Sequence, residues 1–398
     1  MDYVTQSNQP SIDQFCAEHF ISHSTLLRKT APVRKFLGGF RLKLSLTQAK
    51  FTGDEKQVRL FLHAFYWLGY HGTAWPFNLI DAATVRQQYL QLASCSQDPI
   101  TQLQEQVFWA VCRTRLAHGF TVKWGPDFYQ LFAGMPPQPL VYSQAGFPRL
   151  TPHALRDESN FFEFFQAKNI RFTLMTPRES SLLSYLQGRE ATSWDLVARL
   201  MSFLDDYDEA AATPLWEDPQ LVMNLLRLSL AWSLMGGDYV KQADFFTTTQ
   251  LSYKQRQMRD LLGDFVDQLP ETPAFAPFKT DRAAFIEMLF LLFVPYLSRF
   301  KWTDRVHVAL WMASTDIGNA AIRHFLQNIS VVALMAPEAD LGQADLIITS
   351  PDDFANAPLP PGAGPRFDWY LDATETDYYR LYQQVFRLYE QKLAAAAE

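Results

Sequence analysis

The stretch ISHSTLLRKTAPVRKFLGGFRLKLSLTQAKFTGDE, residues 21–55, decides the fold of the N-terminal part of the chain. Ser22 has the residue type and position of a helix N-cap, with Ile21 and Leu26 placed to form a hydrophobic staple across it. Leu26, Thr30, Val33 and Leu37 recur at helical spacing and share one face, while Ser24, Arg28 and Lys35 fall on the opposite one. Pro32 is expected to kink or split this helix, and Gly38-Gly39 to stop it. Residues 41–46 then alternate basic or polar residues with leucine, and Lys50-Phe51-Thr52 follows a short polar turn, which is the pattern of a wing-type hairpin. Gly53-Asp54-Glu55 opens a long helix with acid in its first turn and a stripe of Val58, Leu62, Phe65 and Leu68. A short helix over 11–18 precedes the whole arrangement.

Charge is concentrated in the same stretch. Arg28, Lys29, Arg34, Lys35, Arg41, Lys43 and Lys50 give residues 22–50 a charge of +7 with no Asp or Glu, whereas the chain carries −7, so the rest carries −14. One basic patch on an acidic body confines phosphate contact to a single surface. Working outward, 398 residues predict about two to four domains. With 48% hydrophobic and 19% charged residues the composition is that of a packed globular protein and excludes a disordered one. Cys16, Cys95 and Cys112 are few, odd in number and widely spaced; no disulfide framework is expected, and a reducing cytoplasm fits. Residues 1–10 are polar and unlike a signal peptide, and the most apolar run, 289–297, is short and holds Pro295, so no membrane partner is expected.

Four regions follow from composition and periodicity, at 1–90, 91–178, 179–300 and 301–398. The first mixes short helices with the hairpin and ends in a linker helix. The second is largely helical, with segments at 103–118 and 158–168 separated by a Pro-rich stretch at 135–152. The third reads as all-helical at 194–207, 219–234, 253–269 and 281–300, with 269–279 as a connection. In the fourth, 306–312 and 329–336 have the Val-, Leu- and Ala-rich character of buried strands, with a helical pattern at 317–327 between them. Strands at 346–349 and 367–371 and a helix at 377–393 complete a small α/β unit with a parallel sheet. The expected class is multidomain and mainly α.

ISHSTLLRK (21–29), GDEKQVRLFLHAFYW (53–67) and Trp75-Pro76-Phe77 resemble the Mga family of transcription regulators, in its recognition helix and in the signature that follows its wing. The resemblance spans about residues 11–77. It implies a winged helix-turn-helix, shortened at its N-terminus and lacking the family's most N-terminal helix-turn-helix. It also implies that regions two and three are phosphotransferase-system regulation domains and that region four is similar to enzyme IIB. The physical reading points the same way. Ser22, Ser24 and Thr25 are short polar side chains at the start of a helix suited to a major groove, and Arg28 has the reach to grip a guanine edge. Lys29, Arg34, Lys35, Arg41 and Lys43 position the DNA backbone without reading sequence. Double-stranded promoter DNA is the expected partner, bound by a homodimer, since one module of this size makes few phosphate contacts.

Regulation domains of the family are phosphorylated on histidine by phosphocarrier proteins of the phosphotransferase system. That implies His118, at the end of a strong helix, as the acceptor, with His153 as a second candidate; no histidine occurs from 154 to 306. In a cysteine-type IIB the nucleophile follows the first strand, but MASTDIG (312–318) holds no cysteine, and neither His307 nor His324 replaces it. An enzymatic role is not expected. Cys16, His19 and His23 have a zinc-like spacing broken by the turn between helices, and the acidic run at 205–209 reads as a solvated helix end, so no metal or cofactor is expected. Phosphate-loop, nucleophile-elbow and zinc-protease motifs are missing. Two other readings stay open: a sensor or interaction protein without DNA binding, and a phosphotransferase carrier component.

Overall fold

Side-chain caps set the starts of the N-terminal helices in this computed structural model, which describes residues 11–92, 94–133, 140–171, 177–189, 191–207, 214–235, 239–241, 251, 253–300, 305–312, 317–329, 331–350, 359 and 361–396. Ser11 caps α1 (Ile12–Glu18) and Ser22 caps α2 (His23–Gly38). The antiparallel hairpin β1 (Lys43–Ser45) and β2 (Lys50–Thr52) follows. Asp54 caps α3 (Glu55–Tyr70), Asp81 caps α4 (Ala82–Leu90) and Asp98 caps α5 (Pro99–Ala117). After α6 (Pro126–Leu131), Thr151 caps α7 (Pro152–Ala167). Pro99 and Pro152 open α5 and α7 in the first turn, where no helical partner exists for their missing N–H. Both helices therefore start four to six residues before their apolar periodicity does.

Further helices are α8 (Pro177–Gly188), α9 (Thr192–Asp205), α10 (Pro219–Met235), α11 (Tyr253–Asp267), α12 (Ala276–Thr280) and α13 (Arg282–Phe293). The last is shorter than its apolar run, because Pro295 turns the chain into 3-10 geometry over Val294–Arg299. Pro32 does not split α2. It is exposed, so the carbonyl it leaves without a helical donor can turn to water. Nor do the glycines stop that helix by a left-handed turn: Gly39 is right-handed, and the reversal is made by Arg41 at φ 58°.

The chain forms two compact units. The first runs to Val294 and holds the hairpin and helices α1 to α13, α11 from Met258 onward. Its aromatic centre stacks Phe108 of α5 on Phe165 of α7 at 3.7 Å, with Phe161 and Phe162 alongside. The sequence stripe on α3 packs against α5, α4 packs on α5, and α10 takes α9, α12 and α13 on its faces.

A charged network crosses this core. Arg59 of α3 has no solvent exposure. Its Nε donates to Glu55 Oε1 at 3.0 Å, its two terminal nitrogens grip both oxygens of Glu158 on α7, and Nη2 also donates to the Phe120 carbonyl at 3.0 Å. Arg115 of α5 donates to both oxygens of Glu55 at 2.8 and 2.7 Å, and the Val122 amide to Glu158 Oε1 at 2.8 Å. Every charge in the set meets an opposite one, the condition under which buried ions are tolerated. A second network joins Tyr89, Glu105, Gln166 and Arg171, whose backbone N–H and C=O are both held by the Asn224 amide of α10.

The second unit, from Pro295 onward, is built on β3 (Val306–Trp311), α14 (Ile317–Gln327), β4 (Val332–Leu334), β5 (Leu346–Thr349), β6 (Arg366–Asp368) and α15 (Glu375–Ala396). The strands form one parallel sheet in the order β4-β3-β5-β6. Val306, Val308, Leu346 and Ile348 point to the face covered by Ile322 and Leu326 of α14 and Leu381, Val385 and Tyr389 of α15. The chain is thus mainly helical with a small parallel α/β part. Strand four is Arg366–Asp368, shorter and one residue earlier than its apolar pattern. No described helix is long and apolar enough to cross a membrane.

The buried groups of the first unit make its stability testable. Glu158→Gln leaves Arg59 buried with half its compensation, and urea unfolding followed by tryptophan fluorescence should show a loss of about 3–5 kcal/mol. A loss no larger than that of an exposed pair, under about 1 kcal/mol, would contradict the burial described. His63 meets the stacked Phe108–Phe165 pair edge-on, and burial, with Lys168 nearby, pushes its pKa down from 6.5 to about 3. The unfolded chain takes up this proton near 6.5 and the folded one refuses it. Stability should therefore fall by up to about 1.4 kcal/mol per pH unit as pH drops from 6.5 toward 3. His63→Leu should flatten the pH–stability profile in that window; an unchanged profile would exclude His63 as its source.

Candidate nucleic-acid interface

The helix pair at the N-terminus is joined by a turn whose hydrogen bonds are all local. At the end of α1, Ile21 N donates to Cys16 O at 3.0 Å and Phe20 N to Ala17 O at 3.3 Å, with Phe20 left-handed at φ 53°. This is a Schellman closure, and it sets the direction in which α2 leaves. Ser22 Oγ then accepts the Thr25 amide at 3.1 Å, donates to Thr25 Oγ1 at 2.8 Å and lies 3.0 Å from Ser24 Oγ. The structure brings the three predicted hydroxyls together, but Ser22 is committed to capping, which leaves Ser24 as the freer of the two serines.

Along α2, Ser24, Arg28, Ala31 and Lys35 form the outward row, with Lys29 and Arg34 on its flanks. Arg34 Nη2 donates back to the Leu27 carbonyl at 3.1 Å. The helix closes with the same pair of bonds as α1, Leu42 N to Leu37 O at 3.0 Å and Arg41 N to Gly38 O at 3.2 Å, while Leu37 and Leu42 are buried beneath. In the hairpin, Leu44 pairs with Phe51 and points inward; Lys43 pairs with Thr52 and Ser45 with Lys50, all on the other face. Phe51 is buried, its ring 5.8 Å from Phe61 of α3. At Gly53, φ is 138° and a Cβ would meet Leu42 Cδ2 at 2.5 Å and the Arg41 carbonyl at 3.0 Å, so only glycine lets the hairpin close against the end of α2.

Arg28, Lys29, Arg34, Lys35, Arg41, Lys43 and Lys50 are all exposed. Among the described residues, Arg28, Lys29, Lys35, Lys43 and Lys50 have no hydrogen bond or carboxylate partner, whereas Arg41 does have an interaction. The carboxylates that flank the basic segment are already engaged. Glu18 accepts from Gln14 at 3.0 Å, Asp54 caps α3 and pairs with Lys56, and Glu55 belongs to the buried network. The patch thus presents uncompensated positive charge on α2 and the hairpin, supported by an apolar underside.

The other candidates are dispersed. His118 caps the end of α5, half-buried, with Nδ1 2.7 Å from the Thr114 carbonyl. His153 is in the first turn of α7, largely exposed, 3.9 Å from Asp157 Oδ2 and beside the Tyr129 ring. Of the zinc-like trio, Cys16 is buried and His19 packs on Phe15 at 4.3 Å; among the described residues no group of His, Cys, Asp and Glu could hold a metal ion. In the second unit, His307 on β3 contacts Asp345 at 3.3 Å, His324 is exposed on α14, and residues 313–316 of the loop between them lie outside the described residues. The residues that sequence reading missed are Arg59 and Glu158. Glu55 and Arg59 stand at an i, i+4 spacing that announces a pair, but nothing local marks Glu158, 99 positions away.

The family model of the Mga helix-turn-helix domain matches residues 1–66. The matched segment includes α1, α2, the hairpin and most of α3; Trp75-Pro76-Phe77 lies beyond it. A protein of Streptococcus pneumoniae serotype 4 named "Putative trans-acting regulator" is 24% identical over 109 residues, covering 27% of this chain and 19% of that protein. The chain therefore spans about a fifth of the length of the curated relative it matches.

The cap geometry predicts that Ser22→Ala lowers stability by about 1 kcal/mol and Ser22→Gly by only a few tenths, in thermal or urea unfolding. Equal losses for the two would show that the Ser22 hydroxyl does not cap α2.

Proposed function

The chain carries an Mga helix-turn-helix domain, and from that premise we propose that it is a DNA-binding transcription regulator acting on promoter DNA in the cytoplasm. The observation that carries this is the row of exposed, carboxylate-free cations on α2 and the hairpin, in a chain that is otherwise acidic. In this reading Ser24, Thr25 and Arg28 face base edges, with Arg28 on a guanine. Lys29, Arg34, Lys35, Arg41, Lys43 and Lys50 hold phosphates, and Ser22 keeps the helix end in shape. Two copies acting together supply the affinity that one module lacks. The exposed Tyr379 and Tyr382 on α15, with exposed Leu371 close by in sequence, support self-association through the second unit.

Regulation by the phosphotransferase system is the finer part of the proposal, with 91–178 and 179–300 as regulation domains and 301–398 as an enzyme IIB-like domain. Its support is the place of His118. Gly119 and Phe120 follow it directly, the Phe120 carbonyl accepts from Arg59, and the Arg115 guanidinium lies 3.8 Å from the Phe120 ring centroid. His153 stands five residues before Glu158 on the same helix. A phosphoryl group at His118 adds about −1.5 to −2 charges three residues from Arg115, now bound to Glu55, and so competes for it, and one at His153 adds charge to the helix that carries Glu158. The effect would pass through α3 to the hairpin it supports.

Fluorescence anisotropy with duplexes selected by the chain from a random-sequence pool tests the reading. Arg28→Glu should weaken binding by more than about tenfold, and Lys43→Gln with Lys50→Gln should lower the salt slope by about two. Wild-type affinity in Arg28→Glu, or a salt slope near zero in the parent chain, would overturn DNA binding as the function. Incubation with phosphotransferase phosphocarriers should label His118, and loss of label in His118→Ala with His153 intact would assign it; labelling that persists would move the acceptor elsewhere.

A further inference from the structure

Among the described residues Phe20 is the most exposed large apolar one, at 95% of its full accessible surface. It also stands in a conformation that disfavours it. At φ 53° its Cβ crowds the following carbonyl, a position at which glycine is the usual residue. The end of α5 offers a comparison within the same molecule. There the same two closing bonds recur, Phe120 N to Arg115 O at 3.1 Å and Gly119 N to Leu116 O at 2.9 Å, and the left-handed residue is Gly119 at φ 79°. The turn after α1 therefore needs no side chain at position 20, and Phe20 gains nothing by packing. Its neighbours are engaged elsewhere: His19 rests on Phe15, Glu18 is held by Gln14, and Ile21 is half-buried. The same closure carries Arg41 at φ 58° after α2, so the backbone alone does not single out Phe20; an apolar ring left 95% exposed is what calls for a contact made outside the chain.

The position of Phe20 identifies the kind of contact. It lies two residues before the Ser22 cap, at the end of α2 that carries Ser24, Thr25 and Arg28. The segment that follows holds seven cations and no carboxylate, so the surroundings suit a polyanion with an apolar element on its surface. In a major groove that element is the thymine 5-methyl group, against which phenylalanine is a known type of contact. We propose that Phe20 is an apolar reading residue of the DNA interface, seating its ring against a thymine methyl at the edge of the sequence read by α2. This rests on the DNA-binding reading above and adds a base preference that the basic residues cannot provide.

The test uses the full chain, duplexes selected from a random-sequence pool, and Phe20→Gly. Each thymine of the selected site is replaced singly by deoxyuridine, which removes only the methyl group. Wild type should lose about three- to tenfold in affinity at one or two positions. Phe20→Gly should bind the parent duplex with the same reduced affinity and show no response to those replacements, while its melting temperature is unchanged or raised because glycine suits the turn. Phe20→Gly binding as tightly as wild type would overturn the proposal and leave DNA binding intact. The same holds if both proteins lose equal affinity at every replaced thymine, or if wild type responds to none. Failure of the parent chain to bind any duplex would instead sink the functional reading, and this inference with it.

Discussion

A guanidinium sealed from water must find its hydrogen-bond partners inside the protein, and Arg59 finds them on three different segments. Glu55 is one turn back on its own helix, Glu158 is on α7, and the Phe120 carbonyl stands in the turn that follows α5. Glu55 in turn holds Arg115 of α5. The helix that follows the hairpin is thereby anchored in the helical body by charge as well as by its apolar stripe, and neither kind of contact can be satisfied without the other. Once α3 is placed, Phe61 offers the surface on which Phe51 seats the hairpin, and Gly53 lets the hairpin close on Leu42.

This arrangement sorts the positive charges of the first unit into two classes. Arg59 and Arg115 are matched by carboxylates within the fold and take no part in binding a polyanion. The exposed cations of residues 22–50 meet no carboxylate of their own segment, and the acids nearest to them are already engaged. A net charge of −7 therefore coexists with a surface suited to DNA, because the sum conceals the distribution. Under the proposed regulation, a charge added at His118 would act on the matched class and reach the exposed class only through the position of α3.

Much of this was legible in the sequence where the signal is local. The cap at Ser22, the opening of a helix at Gly53-Asp54-Glu55, the hairpin, the helix at 317–327 and the parallel strands after residue 305 follow from residue type and period. What was not legible falls into three kinds. Some signals compete with one another: the Gly38-Gly39 pair looks like a helix stop, yet the chain continues through both and reverses at Arg41, because burying Leu37 and Leu42 together fixes the closure there. Pro32 likewise fails to break α2, since it sits on the exposed face where a missing donor is inexpensive. Other features are long-range. Glu158 is an ordinary acidic residue in an amphipathic helix until α3 is packed against it, and His63 reads as one polar residue in an apolar run until the stacked Phe108 and Phe165 pack against it. Phe20 was missed for a third reason: left-handed backbone at a phenylalanine leaves no trace in composition or period.

Native-state hydrogen exchange followed by mass spectrometry measures the anchoring of α3 most directly. If the network of Arg59 unites the N-terminal module with the helical body, the protected amides of α3, α5 and α7 should exchange together, with one opening free energy and one denaturant dependence. Exchange of α3 in step with the hairpin and ahead of α5 and α7 would show instead that the module opens by itself, and that Arg59 is not what holds it.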